Sequence, residues 1–305
     1  MSTYPLILVQ PLPITDAMVS APNTNVPETD YAAWSSATTY ALSARVILTS
    51  THKIYQSLQA SNLNKEPTTQ PLWWIEVSPT NKWALFDAAV STQTKQASYI
   101  KYTLTPGQTF NAIAALNLTN ATQIVITVTS ASAGVVYSKT VDVSPVPASS
   151  SWWDWFFGVK RAQTQCVLVD LPSYPDTTIR FELYGGTSLA VGVLLIGQQR
   201  AFGAGIKYGA KVGIQDYSRK EKNDFGDTVL VQRAFAKRAD FELMVDAGEV
   251  DSLQNFLSDV RATPCLWIGS TEYEATTVFG FYKNFDILIS YPTSSDCSLQ
   301  IEGLT

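Results

Sequence analysis

The sequence has little histidine, cysteine, charge or uninterrupted apolar length, and each scarcity removes a class of function. His52 is the only histidine among 305 residues. That leaves little room for a Ser-His-Asp or Cys-His nucleophile and none for a histidine-rich metal site. The three cysteines, Cys166, Cys265 and Cys297, are odd in number and far apart, which fits neither a disulfide framework nor a zinc knuckle. They read as reduced, at least partly buried thiols, with a Cys265–Cys297 bridge as the alternative. No Walker loop, HExxH or paired-cysteine motif occurs, and the glycines from 203 to 213 do not match the dinucleotide fingerprint, so neither metal nor cofactor is expected. Charged residues make up 15% of the chain and the net charge is −5, which gives no reason to expect nucleic-acid binding. The apolar run at 6–9 is broken off by prolines, too short for a signal-peptide core or a bilayer span, so no membrane insertion is expected. Asp87, Asp142, Asp170 and Asp176 fall at expected turns, where carboxylates are solvated loop ends rather than a catalytic pair, and no enzyme is expected.

What remains is rich in aromatic, β-branched and hydroxyl side chains, the composition of short strands joined by polar turns. The fold class is therefore mainly β, in several parts. Residues 1–28, with prolines at 5, 11, 13, 22 and 27, read as an extended arm that must lie on another surface. Residues 29–87 read as a small Trp-rich β-module with strands at 44–49 and 53–58, and with His52 as a surface residue in the turn between them. Residues 88–203 read as a β-sandwich or jelly roll, with strands at 99–105, 124–129, 135–143, 167–171, 179–183 and 191–196 and a turn at Gly185-Gly186. Residues 204–305 read as a C-terminal β-rich α+β domain with one helix. That helix is expected to start near Asp246 as N-cap, to bury Val250, Leu253, Leu257 and Val260, and to stop before Pro264. Strands are expected on either side, two of them at 277–282 and 285–291.

Three groups of residues are candidates for binding. Trp34, Tyr55, Trp73 and Trp74 crowd the small module, where aromatic rings either make the core or stack on the apolar face of a sugar. Trp73 and Trp74 are adjacent on a strand, so only one of them can face the core. Trp152, Trp153 and Trp155, within SWWDWFFGVKR, cannot all face one core together with Phe156 and Phe157, so part of the cluster is covered by another domain or subunit or is exposed as a contact patch. The junction from 200 to 226 mixes glycines with both signs of charge and carries Tyr208, Tyr217, Arg219, Lys220 and Phe225. It reads as a subunit interface in which ion pairs fix register while the aromatics bury area, the alternative being a hairpin packed on its own domain.

The run from Trp34-Ser35 through Thr39-Tyr40, Ile54-Tyr55 and an Asn-x-Asn-x-x-Pro loop to a closing Trp resembles the chitin-binding modules of carbohydrate-binding families 5 and 12, although the usual glycine near 42–43 is replaced. The segments NKWALFD and VGVLLIG are similar to those of galactose-binding-like jelly rolls. The series RAFAKR, DAGEVDSLQNFLSDV and the strands that follow resemble the closing domain of tailed-phage tail and baseplate proteins. These resemblances imply a structural virion protein of the distal tail. It would be assembled in a host cytoplasm into a ring of its own copies and would contact other tail proteins. The alternative they imply is an adhesin that grips a host-surface glycan.

Overall fold

The computed structural model describes residues 5–19, 23–147, 151–222, 226–270 and 273–304. The chain is mainly β, with antiparallel pairing throughout its named strands and, among the described residues, one helix longer than two turns, Val250–Asp259. A ten-stranded sheet forms its spine. Across it run Gln165–Leu168, Ala112–Leu116, Val193–Phe202, Leu6–Pro11, Cys265–Ile268, Thr277–Leu288, Ser294–Gly303 and Phe235–Asp246, with Gly205–Ile206 and Lys211–Asp216 both paired to the last.

Period-two alternation explains what each face of this sheet covers. Along one half, Ile113, Ala115, Leu194 and Ile196 point to a core shared with a second, five-stranded sheet, whose Tyr99–Leu104, Thr119–Ser130 and Thr177–Val191 strands supply Tyr102, Ile124, Ile126, Ile179 and Phe181. This is a sandwich. Along the other half, Leu243, Val245, Trp267 and Leu299 meet Leu253, Phe256, Leu257 and Val260 of the helix. The opposite face of both halves converges on a third core of Val9, Ala114, Leu195, Leu266 and Phe279. One side of the spine is thus continuous, while the other is divided between a sandwich partner and a helix.

Leu6–Pro11 lies in the middle, antiparallel to Val193–Phe202 on one side and to Cys265–Ile268 on the other. Leu6 and Leu8 enter the helix-covered core, and Val9 the third core. Residues 6–11 are therefore a central strand of the sheet rather than an extended arm laid on another surface, as the prolines suggested. The run LILV is apolar at every position because the strand is buried on both faces. Pro11, as its last residue, fits the rule that proline is tolerated at strand ends.

Other elements differ from the sequence expectation for local reasons. Gly185-Gly186 is not a turn: Thr177–Val191 runs through it, and the register against Thr119–Ser130 shifts there. The expected strand at 191–196 is divided at Gly192, where the chain passes from the five-stranded sheet into the spine. A Cβ on Gly192 would sit 2.7 Å from both Asn117 Cβ and the Val90 carbonyl oxygen, so only glycine fits this corner. The two strands expected at 277–282 and 285–291 are one, Thr277–Leu288, with a register shift between Tyr282 and Asn284. Asp246 caps a 3-10 turn, Ala247–Glu249, without a side-chain hydrogen bond, and the α-helix begins only at Val250.

The small module is a three-stranded sheet of Arg45–Leu48, Lys53–Ser57 and Trp74–Pro79 beside the short pair Thr39–Tyr40 and Asn62–Leu63. Ser43, at the place where the resemblance would put glycine, has φ of 66°, in the left-handed region.

Candidate functional site

In the small module the four candidate aromatics fall into one cluster but not onto one exposed platform. Trp74 and Tyr55 are buried with Val46, and Trp34 and Trp73 are half-buried against them. The Trp74 indole donates to the Lys65 carbonyl at 2.7 Å and meets Tyr40 edge-on at 5.2 Å. Trp73, the outward member of the pair, has the Lys65 ammonium 5.4 Å from its ring centroid. Trp74 and Tyr55 thus form the core and, being buried, offer no sugar-stacking face. Trp34 and Trp73 keep partial exposure.

His52 is not the free surface residue expected of a turn. It holds φ of 55°, stacks on the buried Trp83 with ring centroids 4.0 Å apart, and is only 16% exposed as a side chain. Its Nε2 lies 3.0 Å from Asp16 Oδ2, and its Nδ1 lies 3.0 Å from Glu28 Oε1. Thr80 donates to the same Glu28 oxygen at 2.9 Å, with the Lys82 ammonium 4.0 Å from the other oxygen. This polar node ties the N-terminal segment to the small module. Charged partners far apart in sequence leave no local pattern, which is why sequence reading missed it.

The cluster at 151–158 is a short helix, Trp152–Phe157, whose N-cap Ser151 accepts from the Asp154 amide at 3.2 Å. Trp152, Trp153, Trp155, Phe156 and Phe157 are between 62 and 81% exposed, and none of them joins a core cluster. Trp153 lies tilted against Phe157 at 4.5 Å between ring centroids, and Trp152 is stacked on Phe156 at 6.3 Å. The rings pack on each other above the two-stranded stem of Val146–Pro147 and Lys160–Arg161.

The junction forms two pieces of β structure. Lys211–Asp216 lies on Phe235–Asp246, and Arg219–Lys222 pairs with Thr228–Val231 in a separate ribbon. Every residue of Lys211–Asp216, Arg219–Lys222 and Thr228–Val231 is exposed, Ile214 and Leu230 included. Tyr208 is 94% exposed, and the Tyr217 hydroxyl donates to Glu302 Oε1 at 2.9 Å, which raises its pKa. Phe225 lies outside the described residues. Arg219 and Lys220, expected to pair across subunits, are paired within the segment. Lys220 Nζ lies 2.7 Å from Asp216 Oδ2, holding that carboxyl well below the usual range, and Arg219 pairs with Glu221. Beside these ion pairs the junction exposes apolar side chains, Val212 and Ile214 among them.

Among the described residues no group of three or more His, Cys, Asp or Glu could hold a metal ion, and no helix is long and apolar enough to cross a membrane. The three thiols are free and buried, and burial pushes Cys166 and Cys297 up to about 11 and Cys265 to about 12. Such thiols are poor nucleophiles. No protein-family model matches the chain, and no curated protein matches it.

Proposed function

We propose that the protein is a structural subunit of a bacteriophage virion, placed at the distal tail, which assembles with its own copies through the C-terminal part of the chain. The phage assignment rests on the resemblance of 233–304 to closing domains of tail and baseplate proteins. The observation that supports assembly is the exposed ribbon of Arg219–Lys222 and Thr228–Val231. An isolated two-stranded ribbon is marginal in water, and this one leaves Val229, Leu230 and Val231 exposed. A neighbouring subunit that packs on it would bury that apolar surface. The ion pairs, satisfied in cis, would then contribute little to affinity.

The adhesin reading rests on Trp34 and Trp73 alone, since Tyr55 and Trp74 are core residues. Light scattering on the full chain tests the assembly: the expected result is a discrete multiple of the 33.4 kDa chain, and a monomer at all concentrations overturns it. A glycan array probed with the same preparation, in which saturable binding is lost on Trp73→Ala, would favour the adhesin.

A further inference from the structure

The third core of the spine does not close completely. A cavity of about 370 Å³ adjoins it, walled by Leu116, Leu266, Phe279 and Leu304, with Lys237 and Gln165 on its polar side. That volume falls within the roughly 300–1,000 Å³ of small-molecule sites. An apolar wall offers water little, because a buried water makes about three hydrogen bonds, whereas a hydrocarbon body loses none by lying against it.

The polar side is built where the two ends of the spine meet. Gln165 opens the edge strand Gln165–Leu168, and Lys237 lies on Phe235–Asp246, near the other end of the sheet order. Lys237 Nζ donates to Gln165 Oε1 at 3.3 Å, and Gln165 Nε2 donates to the Glu274 carbonyl at 3.3 Å. Both ends of the Gln165 amide are thus engaged, which fixes its oxygen towards the lysine. The Lys237 ammonium is half-buried, and that long bond is its only one among the described residues. Burial pushes its pKa below the ordinary value, and the Glu274 carboxylate works the other way without forming an ion pair with it. Glu274 is exposed, so water screens its charge. A half-buried ammonium with one weak acceptor gains most from an anion brought within hydrogen-bond distance, since bonds between charged partners are the short, strong ones. At the far wall Asn117 Nδ2 donates to the Val90 carbonyl at 2.6 Å and holds the 90–91 loop in place.

We propose that this cavity binds a small apolar carboxylate, its hydrocarbon body against Leu116, Leu266 and Phe279 and its carboxylate accepting from Lys237 Nζ. One chain supplies these groups, so binding does not require self-assembly.

The test is calorimetric titration of the full-length protein with two acids, naphthoate and octanoate, and with their uncharged counterparts, naphthalenemethanol and octanol. The variants are Lys237→Met, which removes the charge and keeps the length, and Ala234→Trp, which fills the cavity from an exposed lining position, with Ser91→Trp as an independent version. Circular dichroism checks that each keeps the wild-type fold. At least one acid should bind at one site per chain, and more tightly than its alcohol. Lys237→Met should weaken the acid about tenfold or more and leave the alcohol unchanged, because a hydrogen bond to a charged group is what it removes. The filling variants should abolish both. Neither acid binding with a Kd below about 1 mM overturns the site. Acid binding that survives the filling variants also overturns it, since the acid then lies elsewhere, on the exposed rings of 152–157 for example. An acid and its alcohol that bind equally and are equally indifferent to Lys237→Met overturn the assignment of a carboxylate.

Discussion

Leu8→Ala tests whether the N-terminal strand is structural. Leu8 is fully buried, reaches the core beneath the helix, and lies between two paired strands whose backbones cannot close in on a smaller side chain. Leucine-to-alanine changes at such sites cost about 2–5 kcal/mol, the cost rising where the cavity cannot collapse, so about 3–4 kcal/mol is expected here. The unfolding entropy of about 2.1 cal/mol/K per residue converts this to a fall in melting temperature of about 5–6 °C for a chain this long. Gln10→Ala, on the same strand with its side chain exposed, is the control and should stay within about 0.5 kcal/mol of wild type. Calorimetry at a fixed protein concentration, with near-ultraviolet dichroism of the buried tryptophans as second probe, measures both. If Leu8→Ala costs no more than Gln10→Ala, residues 6–11 are not in the sheet, and the continuity of the spine is refuted.

Three further outcomes follow from particular contacts. Trp74→Ala should cost about 3–5 kcal/mol locally and expose the small module to proteases, whereas Trp73→Ala should cost far less, as the cleavage pattern of each variant will show. His52→Ala leaves Glu28, a mostly buried carboxylate, without its closest nitrogen partner, and should lower stability by about 1–3 kcal/mol in denaturant titration. Burial works to raise the Glu182 carboxyl, but hydrogen bonds from Tyr99 and Arg180 outweigh it and hold the group below its ordinary 4.5. The stability that this depressed acid contributes is present above that ordinary value and is lost as pH falls through the folded one. Glu182→Gln should therefore flatten the acid limb of a stability-versus-pH curve below about 4.5 and leave its slope near neutrality unchanged.

The strand content and the face of the helix were legible because both are carried by local periodicity. Leu253, Leu257 and Val260 are buried as the 3.6-residue repeat requires, with Phe256 added and Val250 at the edge. Placement of the strands was not legible. Pro5 and Pro11 made 6–11 look like an arm, since nothing in a six-residue run states that its partners lie at 197–202 and 266–268. Glycine misled in the same way at 185-186, where a register shift rather than a turn uses it. In the candidate sites, having more rings than one core can take left SWWDWFF either covered by another domain or subunit or exposed, and only the structure shows its rings exposed. The capture of His52 by Asp16 and Glu28 depended on tertiary contacts that no spacing encodes.

The position of Leu6–Pro11 also sets an order for folding. Its pairing with Cys265–Ile268 joins Ile7 to Ile268, two residues about 260 apart in the chain, and contacts of such long range are slow to form. At synthesis rates of about 5–20 residues per second, the first strand waits roughly 13–50 s before its second partner exists. In that interval it can pair with Val193–Phe202 once that strand emerges, leaving the other edge of LILV open to water. An open apolar edge is the template on which chains aggregate. The nascent protein is therefore expected to depend on a chaperone, or on slow, cool synthesis, until its last forty residues arrive to close the sheet.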